Sequence, residues 1–250
     1  MTTDPTSPDG AGTGPARGPL SRRGLLAGLA GAAGLAVGAG GTQAVHALDG
    51  DGDPTPRPPS PGEELMTEHG VLKRLLLAYR AAADQLSAGQ TPPVDAVVDA
   101  ARVVYDYVES FHEGLEEAYV FPRVREAHPE LVRTLLVQHD RGRHVTERIY
   151  RAADLDLTRP DARDRLRSWL GGFVRMYEPH EAWEDTVIYP ALRRVTSQRE
   201  LDLLAERFAD LENTQYGDAA LQQVLDRVTG IEDQLGIADL AAFTVAPDEI

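Results

Sequence analysis

Two copies of one string of ionisable residues stand 68 residues apart: His112-Glu113-x-x-Glu116-Glu117-x-x-x-Phe121-Pro122 and His180-Glu181-x-x-Glu184-Asp185-x-x-x-Tyr189-Pro190. A lone histidine precedes each string, His69 by 43 residues and His139 by 41. On an α-helix, positions i and i+4 lie about 40° apart, one turn above each other. His112 and Glu116 therefore share a direction, as do His180 and Glu184. Imidazole nitrogens and carboxylate oxygens converging from facing helices form the donor set with which helical bundles build two-metal sites. A single histidine on an apolar face is more often a hydrogen-bonded core residue than a ligand. Here four such histidines fall one per helix, and two glutamates accompany them whose burial without a cation would cost on the order of several kcal/mol. A buried arginine is the other source of positive charge, and Arg143 stands at i+4 from His139. The repeat predicts a dimetal site built from His69, His112, Glu116, His139, His180 and Glu184.

The residues around these six read less sharply. Glu117 and Asp185 follow the ligand glutamate in both halves. They either accept histidine N–H groups from behind or form the solvated edge of each helix, and the sequence leaves both open. Tyr177, at i−3 from His180, and Tyr105, at i−7 from His112, fall on site-facing stripes, where core packing is the default role. His144 is i+5 from His139, about 140° round an ideal helix, and is expected to face away unless a π-bulge near Gly142 turns it back. His128 precedes Pro129 in a turn.

Four helices must position these groups, and apolar residues recur at spacings of three and four from Gly62 onward. The first stripe carries Leu65, His69, Leu72, Leu76, Tyr79, Ala83 and Leu86. The second runs Val97, Ala101, Val104, Val108, Phe111/His112, Leu115/Glu116 and Tyr119, after which Pro122 is expected to kink or fray the helix. A third opens at His128-Pro129 with Leu135, His139, Thr146 and Ile149. The fourth aligns Leu166, Trp169, Phe173, Met176, His180, Trp183/Glu184 and Val187, with a local kink expected at Pro179. No segment sustains period-two alternation of β-branched residues. The expected fold is all-α, an up-down-up-down antiparallel four-helix bundle joined by short connections. Beyond it, Ser197-x-x-Glu200 is a capping box for a fifth helix. A sixth is expected from Asp218 to Leu235, covering one side of the bundle.

The first sixty residues belong to another role. Ser21-Arg22-Arg23-Gly24-Leu25-Leu26 is a twin-arginine export pattern followed by a mildly apolar stretch, and Val45-His46-Ala47 offers a small-residue cleavage site. Residues 1–47 are thus read as a signal peptide, with membrane attachment only if it stays uncleaved. Residues 48–61 read as a flexible Asp/Gly/Pro tether, 62–195 as the bundle and 196–250 as a helical extension. The chain has no cysteine, which excludes disulfides and thiolate chemistry, and its net charge of −15 argues against nucleic acid as a partner. Lys73 is the only lysine.

The set His69, His112-x3-Glu116, His139 and His180-x3-Glu184 resembles the ligand set of the hemerythrin-like (HHE cation-binding) family, the resemblance covering Glu63 to Arg194. It implies two bridging glutamates, four histidines, and two non-haem iron ions with a bridging oxo or hydroxo group, iron rather than manganese being the family's implication. It also implies a small ligand, O2, NO or peroxide. The twin-arginine resemblance implies export in the folded state, which suits a protein that acquires its cofactor first. One departure matters: oxygen-carrying members have His-x3-His on the third helix and His-x4-Asp on the fourth, whereas this chain has His139-x3-Arg143. Asp185 stands at x4 from His180, so it competes with Glu184 as the bridge, the parallel with Glu116 favouring Glu184. The missing imidazole is expected to leave open positions, with Lys73 and Arg143 placing positive charge beside them. The expected function is binding of, or reaction with, a small ligand; a metal-storing or metal-sensing module without turnover is the alternative. The sequence specifies neither redox partner nor substrate.

Overall fold

The first helix begins where the sequence supplies a reciprocal cap. Glu63 donates its amide N–H to the Ser60 hydroxyl while its carboxylate accepts the Ser60 N–H at 2.7 Å, and Pro61 fills the first helical position. From there α1 runs Pro61–Ser87. The computed structural model describes residues 57–246, so the twin-arginine segment lies outside the described residues. Helix α2 spans residues 94–124, α3 Pro129–Tyr150, α4 residues 160–195, α5 Gln198–Tyr216 and α6 Ala220–Leu235. Prolines again open α3 and α4. There is no strand among the described residues, and the fold is an all-α helical bundle.

Helix α1 packs on α4, α4 on α3, α3 on α2 and α2 on α1, closing a ring of four around Leu65, Leu75, Val104, Phe173 and Leu170. The cross-links give the directions. Arg80–Glu178, Lys73–Glu181 and His69–Asp185 join α1 to α4, numbers falling on one as they rise on the other. Thr146–Glu109, Arg143–Glu113 and His139–Glu117 do the same for α3 and α2. These neighbours are antiparallel. Helix α6, starting two residues later than Asp218, lies across α1 and α2, where Glu232 binds Arg74 Nε at 2.8 Å. Helix α5, opened by the Ser197/Glu200 capping box, buries Leu201, Leu204 and Phe208.

The helices that carry the two strings are not uniformly α. Within α2, Val104–His112 and Glu116–Val120 are π-helical, and within α4 so is Glu184–Ile188. The Phe121 N–H bonds to the Glu116 carbonyl and the Tyr189 N–H to the Glu184 carbonyl, five residues back in each case. The following prolines explain the placement of Glu116–Val120 and Glu184–Ile188. A proline ring clashes with the carbonyl four residues earlier, here Ala118 and Thr186, and a widened turn makes room for it. Pro122 therefore does not fray α2, which continues as Phe121–Val124, and Pro190 sits likewise in Tyr189–Val195. Pro179 lies inside the unbroken segment Pro160–Trp183. The wider turns also correct one expectation: a π turn winds less per residue, so Tyr105 leaves the site-facing stripe and is 60% exposed.

Candidate metal centre

The i, i+4 pairs of α2 and α4 and the lone histidines of α1 and α3 meet in the middle of the bundle. His69 and His112 face each other Nε2 to Nε2 at 3.1 Å, and His139 and His180 do so at 3.2 Å. Between the pairs lie the carboxylates of Glu116 and Glu184, both with no solvent exposure. Glu116 Oε2 is 3.6 Å from His112 Nε2 and 3.5 Å from His139 Nε2. Glu184 Oε2 is 3.4 Å from His69 Nε2 and 3.2 Å from His180 Nε2. Each glutamate thus reaches one histidine of either pair. Two four-donor groups result, His69/His112/Glu116/Glu184 and His139/His180/Glu116/Glu184, each with donor atoms within 4.8 Å of one another.

What lies behind the histidines fixes which nitrogen points inward. Nδ1 of His69 bonds Asp185 at 2.8 Å, that of His112 bonds Glu68 at 2.9 Å, and that of His139 bonds Glu117 at 2.9 Å. Nδ1 of His180 bonds the Gln138 Oε1 at 2.9 Å. These oxygens accept, so each neutral imidazole keeps its proton on Nδ1 and turns a bare Nε2 lone pair to the centre. Glu116 Oε2 and both oxygens of Glu184 find no hydrogen-bond donor. Lone pairs facing lone pairs in a dry interior are costly unless a cation lies among them. The donors present fit metal ions. Glu117 and Asp185 are therefore acceptors for histidine N–H groups, each serving the lone histidine of the other half. Asp185 is about one-third exposed and outside the donor groups, whereas Glu184 is inside both.

A further ring of carboxylates escaped the sequence reading, although the repeat contained it. Glu113 and Glu181, next to His112 and His180, are buried, at 1% and 3% exposure. Arg143 binds Glu113 at 2.8 Å and Glu117 at 2.6 Å, and Lys73 pairs with Glu181. Lys73 and Arg143, expected to place positive charge beside open metal positions, each pair with a buried acid of the neighbouring helix. Glu113, Glu117 and His139 would themselves form a three-donor group, but Arg143 already takes both carboxylates. The Tyr177 hydroxyl donates to Glu113 Oε1 and that of Tyr189 to Glu116 Oε1, each at 2.7 Å. Tyr189 stacks on His69 and its counterpart Phe121 on His139. His144 is exposed on the outer face of α3, with Nδ1 2.6 Å from the Asp140 carbonyl.

The proton affinities follow from this burial. Burial pushes Glu113 up to about 8 and Glu109, on α2, up to about 7. Burial opposes charge on His69, but with no metal present its bond to Asp185 and the Glu184 carboxylate beside its Nε2 outweigh this and raise it to about 10. Glu117 goes down to about 2, first through its bond from His139, with Arg143 adding to it. Burial and the charge of Glu184 raise Glu116; Glu184 is held low, against its own burial, by His180 and His69. In the metal-free protein Glu109, Glu113 and His69 bind more protons folded than unfolded, the acids from 4.5 to about 8 and His69 from 6.5 to about 10. The stability these three contribute falls as pH rises through that window, while His139, which burial holds below its ordinary value, works in the opposite direction. Chelator-stripped protein is expected to show a higher urea midpoint at pH 5.5 than at pH 8.5. Glu109→Gln is expected to flatten the slope by removing a contribution on the order of 3 kcal/mol. Equal midpoints at the two pH values would contradict the burial of these groups.

The hemerythrin HHE cation binding domain matches residues 60–161 and again 130–243. The second match begins 70 residues after the first, which is the interval from His69 to His139. Uncharacterised proteins of Mycobacterium bovis and of two strains of Mycobacterium tuberculosis are each 42% identical over 233 residues, covering 90% of this chain and 91% of their own. No solved structure matches.

Proposed function

The chain belongs to the hemerythrin HHE cation-binding family, and from that membership we propose that its metal-binding bundle holds two non-haem iron ions that bind or react with O2, NO or peroxide outside the cytoplasm. One observation carries this reading: two four-donor groups share Glu116 and Glu184, and Glu116 Oε2 and both Glu184 oxygens are buried without a hydrogen-bond donor. Each group offers two imidazoles and two shared carboxylates. That set suits non-haem iron and leaves room for a small exogenous ligand; iron over manganese follows from the family. Bound there, the ions supply one-electron steps to and from such a ligand. The protein's own part is to orient the imidazoles through Asp185, Glu68, Glu117 and Gln138 and to offer the Tyr189 hydroxyl beside Glu116. The twin-arginine pattern at Ser21-Arg22-Arg23 supports export after folding. Among the described residues no helix is long and apolar enough to cross a membrane.

A second reading, a metal-storing or metal-sensing module without turnover, is favoured by the burial of all six donors, none of them more than 4% exposed. Anaerobic reconstitution with Fe(II) is expected to give close to two irons per chain. Adding hydrogen peroxide to that form separates the readings: sustained peroxide loss with O2 release marks an enzyme, one stoichiometric oxidation a module. Iron near zero with an intact helical circular dichroism spectrum would sink both.

A further inference from the structure

The repeat gives each group behind the donors a counterpart in the other half. Lys73 and Arg143 correspond, as do Glu113 and Glu181, and the cross-pairs Lys73–Glu181 and Arg143–Glu113 are each neutral in sum. Glu117 and Asp185 correspond as acceptors for His139 and His69. The match of charge fails at the residue just before each lone histidine. Glu68 precedes His69 and accepts from His112 Nδ1; Gln138 precedes His139 and accepts from His180 Nδ1, both at 2.9 Å. The geometry is the same, but one acceptor is a buried carboxyl and the other an amide. A second difference runs the same way. The Glu117 oxygen that holds His139 is shared with Arg143, at 2.6 Å, whereas Lys73 goes to Glu181 and leaves the Asp185–His69 bond undivided. Glu109 and Tyr177, another corresponding pair, bond Thr146 and Glu113 and touch no ligand nitrogen with a hydrogen bond.

We propose that the two metal positions are unequal by construction: the one held by His69 and His112 binds its ion more tightly than the one held by His139 and His180, and Glu68 sets the difference. This rests on the two-metal reading above. A carboxylate accepting Nδ1–H makes the opposite nitrogen a more basic donor, an effect that an amide oxygen gives only weakly. A buried negative charge one imidazole away from a cation also stabilises it directly, more than it would in water. At His69 and His112 both acceptors are carboxyl groups; at His139 and His180 one is a neutral amide and the other a carboxylate shared with Arg143. Glu68 is a positioning residue: it acts through His112 and touches no metal itself.

Cobalt(II) tests this in the full-length protein, because its visible bands report each bound ion and a competing chelator gives both affinities. Two ions are expected to bind in steps separated by more than the fourfold ratio that identical, independent sites show. Glu68→Gln keeps an acceptor for His112 and is expected to weaken the tighter step by about 10–100-fold, leaving the weaker step in place. Gln138→Glu is expected to strengthen the weaker step by a similar factor. Either change alone narrows the gap, whereas coupling between two intrinsically equal sites would leave it or widen it. The thermal melt of metal-free Glu68→Gln, run beside the parent, separates a loss of affinity from a loss of stability. Two cobalt ions binding with steps that neither variant moves, or that Glu68→Gln weakens equally, would overturn the inference and spare the two-metal reading. Fewer than two ions bound by the parent protein would overturn that reading itself.

Discussion

Alanine at Glu116 or at Glu184 is expected to strip most of the metal from the protein. Each carboxylate belongs to both donor groups, so one substitution removes an oxygen from both at once. It also removes half of the negative charge at the very middle of the centre. Because the binding free energy of a buried metal is folding free energy, the variants should lose several kcal/mol of the stability that metal confers on the parent. Asp185→Asn tests whether Glu184 rather than its neighbour links the two groups. Asp185 bonds the back of His69, and loss of such an outer carboxylate typically costs about 10–100-fold in affinity without emptying the site. His144→Ala, on the outer face of α3, should keep its metal and its spectrum. Metal content by mass spectrometry on the four proteins decides the matter. A Glu184→Ala variant that keeps its metal while Asp185→Asn loses it would make Asp185 the bridge.

The six donors were legible because their chemistry and their period coincide: an imidazole and a carboxylate at i and i+4, twice, each preceded by a lone histidine. What surrounds them was legible only in part. Lys73 and Arg143 do point toward the site as i+4 spacing requires, but nothing in the spacing reveals that Glu113 and Glu181 are buried opposite them. Glu68 and Gln138 stand about 100° from His69 and His139 on an ideal helix. They read as facing away, yet that direction is where His112 and His180 present their Nδ1 atoms. Tyr105 was misplaced because the stripe was drawn with an α period through a π segment. Hydrogen-bond register has no propensity signature, and the proline at the same place in both strings signals only the later segments, Glu116–Val120 and Glu184–Ile188. His144 faces outward as its i+5 spacing requires, since α3 stays α-helical through Gly142.

Gly142→Ala is expected to destabilise the protein by about 2–4 kcal/mol, the net of overpacking and of a lost buried hydrogen bond less the gain in helix propensity. The sign is the informative part. In the interior of a helix, glycine to alanine ordinarily stabilises by up to about 1 kcal/mol. At Gly142 a Cβ would lie 1.9 Å from the Tyr177 hydroxyl oxygen, 2.8 Å from Cζ and 2.9 Å from Cε2. Tyr177 has no room to yield. Its ring is fully buried, stacks on Phe173 at 4.3 Å and leans on His180 at 5.2 Å, and its hydroxyl holds Glu113. Moving it leaves a buried carboxyl oxygen without its donor and shifts a ring that rests on the His180 imidazole. The variant should therefore lower both the urea midpoint and the metal content, the latter mainly at the position held by His139 and His180. Gly230→Ala in α6, where a Cβ meets nothing within 4 Å, supplies the contrast and should be neutral or slightly stabilising. Gly142→Ala combined with Tyr177→Phe removes the 1.9 Å contact but leaves Cζ close, so it should recover part of the loss and no more. Equal midpoints for Gly142→Ala and Gly230→Ala would mean that the Tyr177 ring is free to move, and that the bond to Glu113 does not hold it against His180.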